Sequence, residues 1–512
     1  MTNPASAMRL LITYAVCIPV AVVVGYLLTN PLDYGTLGFL GLLIAVLISP
    51  IFIKWHYPML VFGLACPMTC FFLIGKPPLA QVVVMISLGI AITERILSSE
   101  KRFMSVPVMT WPLLFIAAMA YMTAELNGGI GLHSLGGDTG GGRKYITLFT
   151  GVATFFALIS QTIPKNRRNF YLILFMLPSL MGVIGDLFPY LPSPLNKINL
   201  LFPPTMSLDQ TVTVGTTRLT SFSFAVGTLM MFMLARYGLS GLLSARHPWR
   251  GMFFVGSFLL TLLGGYRSSL GGLVIMLTLM FFLEGLHRTR LLPIILLLGV
   301  LGATVLATCS NKLPYTFQRS MSFLPLKWDT DVLLDAEGSS EWRFKIWRAV
   351  WPKVPDYLLL GKGYSISKED YDMIGSGQFN NMQASHIDAS EESLAISSDF
   401  HSGPLSTLVP FGLWGGIGIL WLMGASFHVV YRNYKFGDPE LRTLNIYLLV
   451  SCVGSIIGFF FIFGAFSDAV GGYAKMAGFS LAMNGGLARA VAKPVFNPRI
   501  KPLPAVGAMQ PV

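Results

Sequence analysis

Three polar residues at the borders of long apolar runs are the strongest candidates for chemistry in this sequence. Arg218 precedes one such run, Arg267 lies in a glycine-rich segment between two runs, and His401 lies where a long polar stretch becomes apolar again. The planar fork of an arginine donates two parallel, charge-assisted hydrogen bonds to a phosphate. A neutral histidine, with a reference pKa of about 6.5, can accept a proton from a sugar hydroxyl. These residue types therefore predict a pyrophosphate clamp of two arginines beside a histidine base.

Each of these residues also has a structural interpretation. A single arginine at a membrane rim usually extends to the lipid headgroups, and a single histidine at the start of a span is more often a hydrogen-bonding partner within the fold. Spacing alone leaves both interpretations open, so the surrounding elements have to decide between them.

The composition places these residues in a membrane. Of the 512 residues, 54% are hydrophobic and only 12% are charged, whereas soluble domains carry about 25% charged residues. A helix needs about 20 apolar residues to cross a bilayer, and lipid requires each backbone polar group to be satisfied within its own segment. We therefore predict an all-α, polytopic integral membrane protein. This excludes a soluble enzyme, a disordered chain, a coiled coil and a nucleic-acid binder.

The apolar runs predict 13 or 14 transmembrane helices. Thirteen runs lie near residues 8–28, 35–53, 57–75, 79–97, 105–124, 145–163, 170–190, 220–243, 251–266, 269–285, 291–308, 405–430 and 444–467. A weaker stretch, 471–490, is either a fourteenth span or an interfacial helix.

The distribution of Lys and Arg predicts the orientation of these spans, because cytoplasmic loops are enriched in both. With the N-terminus in the cytoplasm, the loops on that side hold 16 basic residues and the short outer loops hold only 6. This topology places Arg218, Arg267 and His401 on the outer face at a similar depth, and the basic tail inside.

A long outer loop, residues 309–404, differs from all the others. It holds 13 of the 24 acidic residues against nine basic ones, and a structured loop of this length is usually functional. Within it, Phe344, Trp347 and Trp351 recur on one helical face, with Arg343 and Arg348 elsewhere on the same helix. This pattern suits a helix lying on the membrane surface, although a helix packed on the loop's own core would show it too.

These observations divide the chain into five parts. They are N-terminal transmembrane helices in 1–210, a transmembrane region with the two outer-face arginines in 211–308, the long periplasmic loop 309–404, C-terminal transmembrane helices in 405–490, and a cytoplasmic tail in 491–512.

Absent motifs narrow the function further. No His, Cys or carboxylate cluster has metal-ligand spacing, so we expect neither a metal nor another cofactor. No firmly assigned span carries a charge near its middle, which disfavours an ion-coupled transporter. The glycine-rich segment 127–142 lacks the Gly-Lys-Ser/Thr ending of a phosphate-binding loop, which makes a flexible loop the better interpretation.

Four short motifs occur in a defined order on the predicted outer face. They are Arg218-Leu219-Thr220-Ser221-Phe222 through Gly227; Tyr266-Arg267-Ser268-Ser269-Leu270-Gly271-Gly272; Arg343, Trp347 and Val350 with Leu360-Gly361-Lys362-Gly363; and His401-Ser402 with Phe411-Gly412-Leu413-Trp414-Gly415. Their order resembles the O-antigen ligase and polymerase superfamily of bacterial surface glycan assembly, over roughly residues 210–430. Ser402 and Val350 depart from the Asn and Ala that this family usually has.

The resemblance implies an architecture like that of the GT-C glycosyltransferases, acting at the outer face of the bacterial cytoplasmic membrane. The donor would be a polyprenyl-pyrophosphate-linked glycan, and the acceptor a glycan, a lipid A core or a protein. Arg218 and Arg267 would bind the donor pyrophosphate and His401 would act on the acceptor hydroxyl. Arg343 and Arg348 would assist substrate binding.

Three alternatives stay open at this point. Ligase, polymerase and protein O-oligosaccharyltransferase look alike in sequence, because acceptor choice lies in the variable loop. A flippase for polysaccharide or lipid-linked oligosaccharide would need no catalysis. A cell-wall transglycosylase would depend on Asp399 or Glu391 rather than on His401.

Overall fold

The computed structural model describes residues 4–27, 29, 34–98, 102–131, 141–187, 192–203, 219–365, 398 and 400–489. Within these ranges the regular structure is helical, and extended pairing is limited to an isolated bridge between Thr69 and Pro78. The prediction of an all-α protein is therefore confirmed.

The α-helices are numbered in chain order. They are α1 (Pro4–Leu27), α2 (Tyr34–Gly63), α3 (Leu79–Leu97), α4 (Pro107–Leu126), α5 (Gly142–Leu158), α6 (Arg168–Met176), α7 (Val183–Leu187), α8 (Thr220–Leu242), α9 (Pro248–Thr261), α10 (Arg267–Leu283), α11 (Leu291–Cys309), α12 (Tyr315–Met321), α13 (Thr330–Val350), α14 (Val354–Tyr357), α15 (Leu405–Phe436), α16 (Arg442–Phe461) and α17 (Phe466–Asn484).

Seven helical segments in the described part of the chain are long and apolar enough to cross a membrane. They are Leu79–Leu97, Pro107–Leu126, Lys165–Gly185, Thr220–Leu242, Leu291–Lys312, Leu405–Phe436 and Pro439–Phe461. The α10 helix is apolar but has only 17 residues. The protein is thus a polytopic membrane protein, and the full count of 13 or 14 spans stays a prediction.

The predicted span at 57–75 is wrong. The α2 helix runs without a break from Tyr34 to Gly63, and residues 64–78 form turns instead of a helix. Pro67 and the Pro77–Pro78 pair lack the N–H donors that a helix needs, and Gly75 has a φ of 76°. Because one predicted crossing is lost, the side of the membrane on which each later loop lies can no longer be counted from the N-terminus. The assignment of sides therefore depends on the positions of the basic residues.

The chain forms two compact units, Met1–Leu60 and Val61–Val512. In the second unit α17 lies against α5 and α15, and α15 also packs on α4 and α16. Gly151 and Gly471 allow the close approach of α5 and α17, because a Cβ on Gly151 would lie 2.9 Å from the Gly471 Cα. Thirteen of the 19 residues of α17 are buried. An interfacial helix keeps one face in water, so α17 is an interior helix of the bundle.

The α17 helix carries a charge at its centre. Lys475 lies halfway along it, with the ammonium nitrogen 5.7 Å from the centre of the Phe175 ring. The sequence argument against ion-coupled transport, which relied on uncharged span centres, therefore does not extend to this helix. By contrast, α11 has no buried residue within the chain, so lipid can reach all of its sides.

The long loop 309–404, which we continue to call the outer loop after its predicted side, is joined to the membrane helices at a kink in α15. Pro410 lies inside this helix and Gly412 has a φ of 58°, which interrupts the helical hydrogen bonding. Three main-chain hydrogen bonds join the loop to the kink. In the loop, the Lys362 N–H donates to the Val409 carbonyl oxygen at 2.8 Å and the Gly363 N–H donates to the Pro410 carbonyl oxygen at 2.8 Å. In the helix, the Leu413 N–H donates to the Leu358 carbonyl oxygen at 2.7 Å. A Cβ on Gly361 would collide with the Pro410 carbonyl oxygen, so this position requires glycine. The loop thus supplies hydrogen bonds that the kinked helix has lost.

Candidate functional site

The turn before α10 directs Arg267 toward the outer loop. A short 3-10 helix, Leu262–Gly264, ends at Gly265, whose φ of 68° is left-handed. Tyr266 then contacts the start of α8, where its hydroxyl lies 3.2 Å from the Thr220 Oγ1. This geometry places Arg267 at the first residue of α10, where its Nη2 donates to two atoms of the α13 helix.

The two atoms that accept from Arg267 are the Ala336 carbonyl oxygen, at 2.8 Å, and the Ser340 Oγ, at 3.1 Å. Both acceptors are neutral, so the positive charge of Arg267 is held in place without being neutralised by them. The guanidinium keeps donors that these two bonds do not use.

A second arginine, Arg319 on α12, was not among the candidates that the sequence suggested. Its Nε donates to the Asp335 Oδ2 at 2.6 Å and its Nη1 donates to the Gly265 carbonyl oxygen at 2.6 Å. Tyr315 donates to the same carboxylate oxygen of Asp335 at 2.7 Å. Arg319 therefore joins α12, α13 and the turn that carries Arg267. Its side chain is only 8% exposed, against 23% for Asp335.

Arg343 on α13 completes a group of three neighbouring arginines. Partial burial, and then the nearby Arg319 cation, hold the pKa of Arg343 below its ordinary value. Arg343 and Arg319 also both lie close enough to Arg267 to interact with it electrostatically. The Asp335 carboxylate is ion-paired with one member of this group, Arg319. We call Arg267, Arg319 and Arg343 the arginine cluster.

A cavity of about 300 Å³ opens beside the arginine cluster. Arg267 forms one wall and one face of α13, including Arg348, forms the rest. The structure thus brings Arg267, Arg343 and Arg348 together around α13. The sequence had predicted only that these three arginines lie on the same side of the membrane.

The other face of α13 packs on a core that the loop shares with the start of α15. Ile346 and Val350 are buried with Phe400, Leu405 and Val409. The Trp347 Nε1 donates to the Phe400 carbonyl oxygen at 2.9 Å. Phe344 and Trp351 are largely exposed. Packing on the loop core is therefore found for part of the helix, and contact of Phe344 and Trp351 with a membrane surface stays a prediction.

The His401 turn is held against the same helix. His401 has a φ of 49°, which is rare for residues other than glycine, and its ring lies 5.0 Å from the ring of Phe463. Strained backbone of this kind is concentrated at functional sites. Trp347, which anchors the turn, lies two helical turns beyond Ser340, or about 10 Å along the helix axis. One helix therefore positions both the arginine cluster and the histidine.

Several predicted residues lie outside the described part of the chain, namely Arg218, Glu391 and Asp399. The α8 helix that follows Arg218 begins at Thr220. Among the described residues, no group of three His, Cys, Asp or Glu side chains has the arrangement that holds a metal ion.

No sequence signal identified Arg319. Its partners Asp335 and Gly265 lie 16 and 54 residues away, distances that no helical or strand period connects. The contact exists only because the outer loop folds back onto the turn before α10.

Comparison with known proteins agrees with the motifs. Residues 252–420 match the family described as O-Antigen ligase, and this segment contains the arginine cluster and His401. No curated protein matches the chain. The match confirms, for this segment, the resemblance to the O-antigen ligase and polymerase superfamily.

Proposed function

We propose that this membrane protein transfers a glycan from a polyprenyl pyrophosphate to an acceptor hydroxyl, at the outer face of the bacterial cytoplasmic membrane. The observation that carries the proposal is the charge balance of the arginine cluster. Three guanidinium groups lie near one another, and the ion pair to Asp335 is made by Arg319, whereas Arg267 donates to neutral acceptors. Like charges gathered in a partly desolvated site are stabilised by an anion. The bidentate fork of arginine suits the oxygens of a phosphate.

In this proposal Arg267 and Arg343 bind the donor pyrophosphate, with Arg218 and Arg348 assisting. The acceptor oxygen attacks the anomeric carbon of the glycan, and the bond between that carbon and the pyrophosphate oxygen breaks. The leaving group is the polyprenyl pyrophosphate, whose developing negative charge the arginines stabilise. The electron pair of the broken bond stays on the pyrophosphate oxygen.

His401 receives the proton of the acceptor hydroxyl as the new glycosidic bond forms. Its turn is anchored to α13 by Trp347, about 10 Å along the axis from the residues that hold Arg267. That separation leaves room for a sugar between the pyrophosphate and the histidine. The acceptor is a second glycan for a polymerase, a lipid A core for a ligase, or a protein for an O-oligosaccharyltransferase.

The test is a mass analysis of lipid-linked glycans in cells that lack the protein, complemented with variants. Accumulated single repeat units that only the wild type clears indicate a polymerase. Accumulated long lipid-linked chains indicate a ligase or protein transferase. Arg343→Gln should fail to clear either species, whereas Arg290→Gln, which changes an exposed arginine far from the cluster in sequence, should clear it as the wild type does. Full clearance by Arg343→Gln would reject the pyrophosphate role of the cluster.

A further inference from the structure

The cavity beside Arg267 is built mainly from one face of α13. Glu337, Glu341, Phe344 and Arg348 line it at spacings of four, three and four residues, with Ser340 and Lys345 beside them. These intervals place the side chains in a single stripe along the helix. The stripe lies on a different side of α13 from Ile346 and Val350, which are buried in the loop core.

The groups in this stripe suit a polyhydroxylated ring. The carboxylates of Glu337 and Glu341 accept hydrogen bonds, and the Ser340 hydroxyl can both donate and accept. Lys345 holds Glu341 through an ion pair of 3.2 Å. The Phe344 ring is 54% exposed and provides an apolar surface beside these polar groups. An aromatic surface with a few convergent polar groups is typical of a small-molecule site.

We propose that this cavity binds the sugar that is bonded directly to the donor pyrophosphate. The inference depends on the proposed function, because Arg267 forms a wall of the cavity and also belongs to the arginine cluster. A sugar linked to a phosphate through one oxygen must lie next to the group that binds that phosphate. Glu337 accepts a hydrogen bond from a hydroxyl of this sugar, and Phe344 packs against the apolar face of its ring.

Two residues of the subsite discriminate between sugars. Glu337 can accept hydrogen bonds from hydroxyl groups, and Phe344 offers an apolar surface to the ring. Glu337 and Phe344 are its specificity-determining residues.

The experiment compares two lipids on the full-length protein in lipid nanodiscs. One is polyprenyl pyrophosphate without a sugar, and the other is the same lipid carrying N-acetylglucosamine. The wild type should bind the sugar-bearing lipid more tightly. Glu337→Gln and Phe344→Ala should each weaken its binding about tenfold, as expected for the loss of one charge-assisted hydrogen bond and of one aromatic packing contact, respectively. Both variants should leave the affinity for the sugar-free lipid unchanged.

Matched controls separate this effect from damage to the loop. Phe323 is 54% exposed, as Phe344 is, and does not line the cavity, so Phe323→Ala should bind both lipids as the wild type does. Asp356→Asn serves in the same way for Glu337→Gln, because Asp356 is an exposed loop carboxylate outside the cavity. Phe344→Ala also removes the contact between the Phe344 and Trp347 rings. The nearly isosteric Glu337→Gln change leaves that contact in place.

The outcomes distinguish the subsite from the function on which it depends. The subsite is overturned if the wild type binds both lipids equally, or if Glu337→Gln and Phe344→Ala weaken both lipids or neither. Arg267→Gln should weaken both lipids. If Arg267→Gln weakens neither, or the wild type binds neither, the proposed function fails and the subsite with it.

Discussion

Replacing Asp335 with asparagine should destabilise the outer loop by leaving the Arg319 charge unpaired. The Arg319 side chain is 8% exposed and its Nε lies 2.6 Å from the Asp335 Oδ2. Breaking a fully buried ion pair costs about 3–5 kcal/mol in the free energy of unfolding. Since Asp335 keeps 23% of its exposure, solvent screens part of that cost, and we expect a loss of about 2–3 kcal/mol for Asp335→Asn.

A second ion pair on α13 provides the matched control. Lys345 and Glu341 lie 3.2 Å apart, and both side chains are 67% exposed. Exposed pairs of this kind contribute about 0.2–1 kcal/mol, so Glu341→Gln should change the melting temperature far less than Asp335→Asn does. The two changes remove the same formal charge from the same helix, so the contrast compares a partly buried carboxylate that accepts from Arg319 and Tyr315 with an exposed one.

The assay is thermal unfolding of the purified protein in detergent, followed by tryptophan fluorescence. A double-mutant cycle with Arg319→Gln should give a coupling energy of about 1–3 kcal/mol, because the two side chains contact each other. The reasoning is refuted if Asp335→Asn unfolds at the temperature of the wild type, or if its effect and that of Arg319→Gln simply add.

Three further predictions concern single residues. His401→Asn should abolish glycan transfer. It should leave the unfolding temperature near that of the wild type, because asparagine tolerates the positive φ of His401. Transfer by this variant in a glycan assay would contradict the role of His401 as a base. The pKa of Asp438 is lowered from 3.8 to about 2, mainly by the Arg168 hydrogen bond, so this carboxylate stabilises the fold above pH about 4. Asp438→Asn should therefore lower the unfolding temperature at pH 7, and the difference from the wild type should shrink as the pH falls below about 4 and be lost as it passes through about 2. Lys475→Met should raise the unfolding temperature and increase the free energy of unfolding by on the order of 1 kcal/mol, because it removes a charge from the centre of α17. A lower unfolding temperature would indicate that the ammonium group stabilises the fold.

Much of the fold could be predicted from the sequence because lipid imposes a simple rule. Apolar runs of sufficient length have to be helical, which is why helices lie at the predicted spans from 79–97 onward. The rule failed at 57–75, where residues 64–78 are apolar but contain three prolines and a glycine with positive φ. Apolarity indicates that a segment is shielded from water by lipid or by protein, whereas clustered proline and glycine can interrupt the helix.

The candidate site was predictable only where a residue has a local signal. Arg267 could be found because it stands in a short glycine-rich turn, and Arg343 because it lies in a patterned helix. Arg319 has no such signal, since its role depends on the Gly265 carbonyl oxygen 54 residues earlier in the chain. The sequence likewise contained both the Gly361 and the Gly412 motifs, but nothing in it indicated that they are hydrogen-bonded to each other.

That pairing has a consequence for building chimaeras of this protein. The three hydrogen bonds between residues 358–363 and the α15 kink use only main-chain atoms, so most side chains of the segment can be exchanged without loss of these bonds. Deleting the outer loop, however, would leave the Val409 and Pro410 carbonyl groups without these partners. The loop therefore cannot be removed as an independent module. A donor loop transplanted into this scaffold has to carry its own equivalent of residues 358–363, with glycine at position 361.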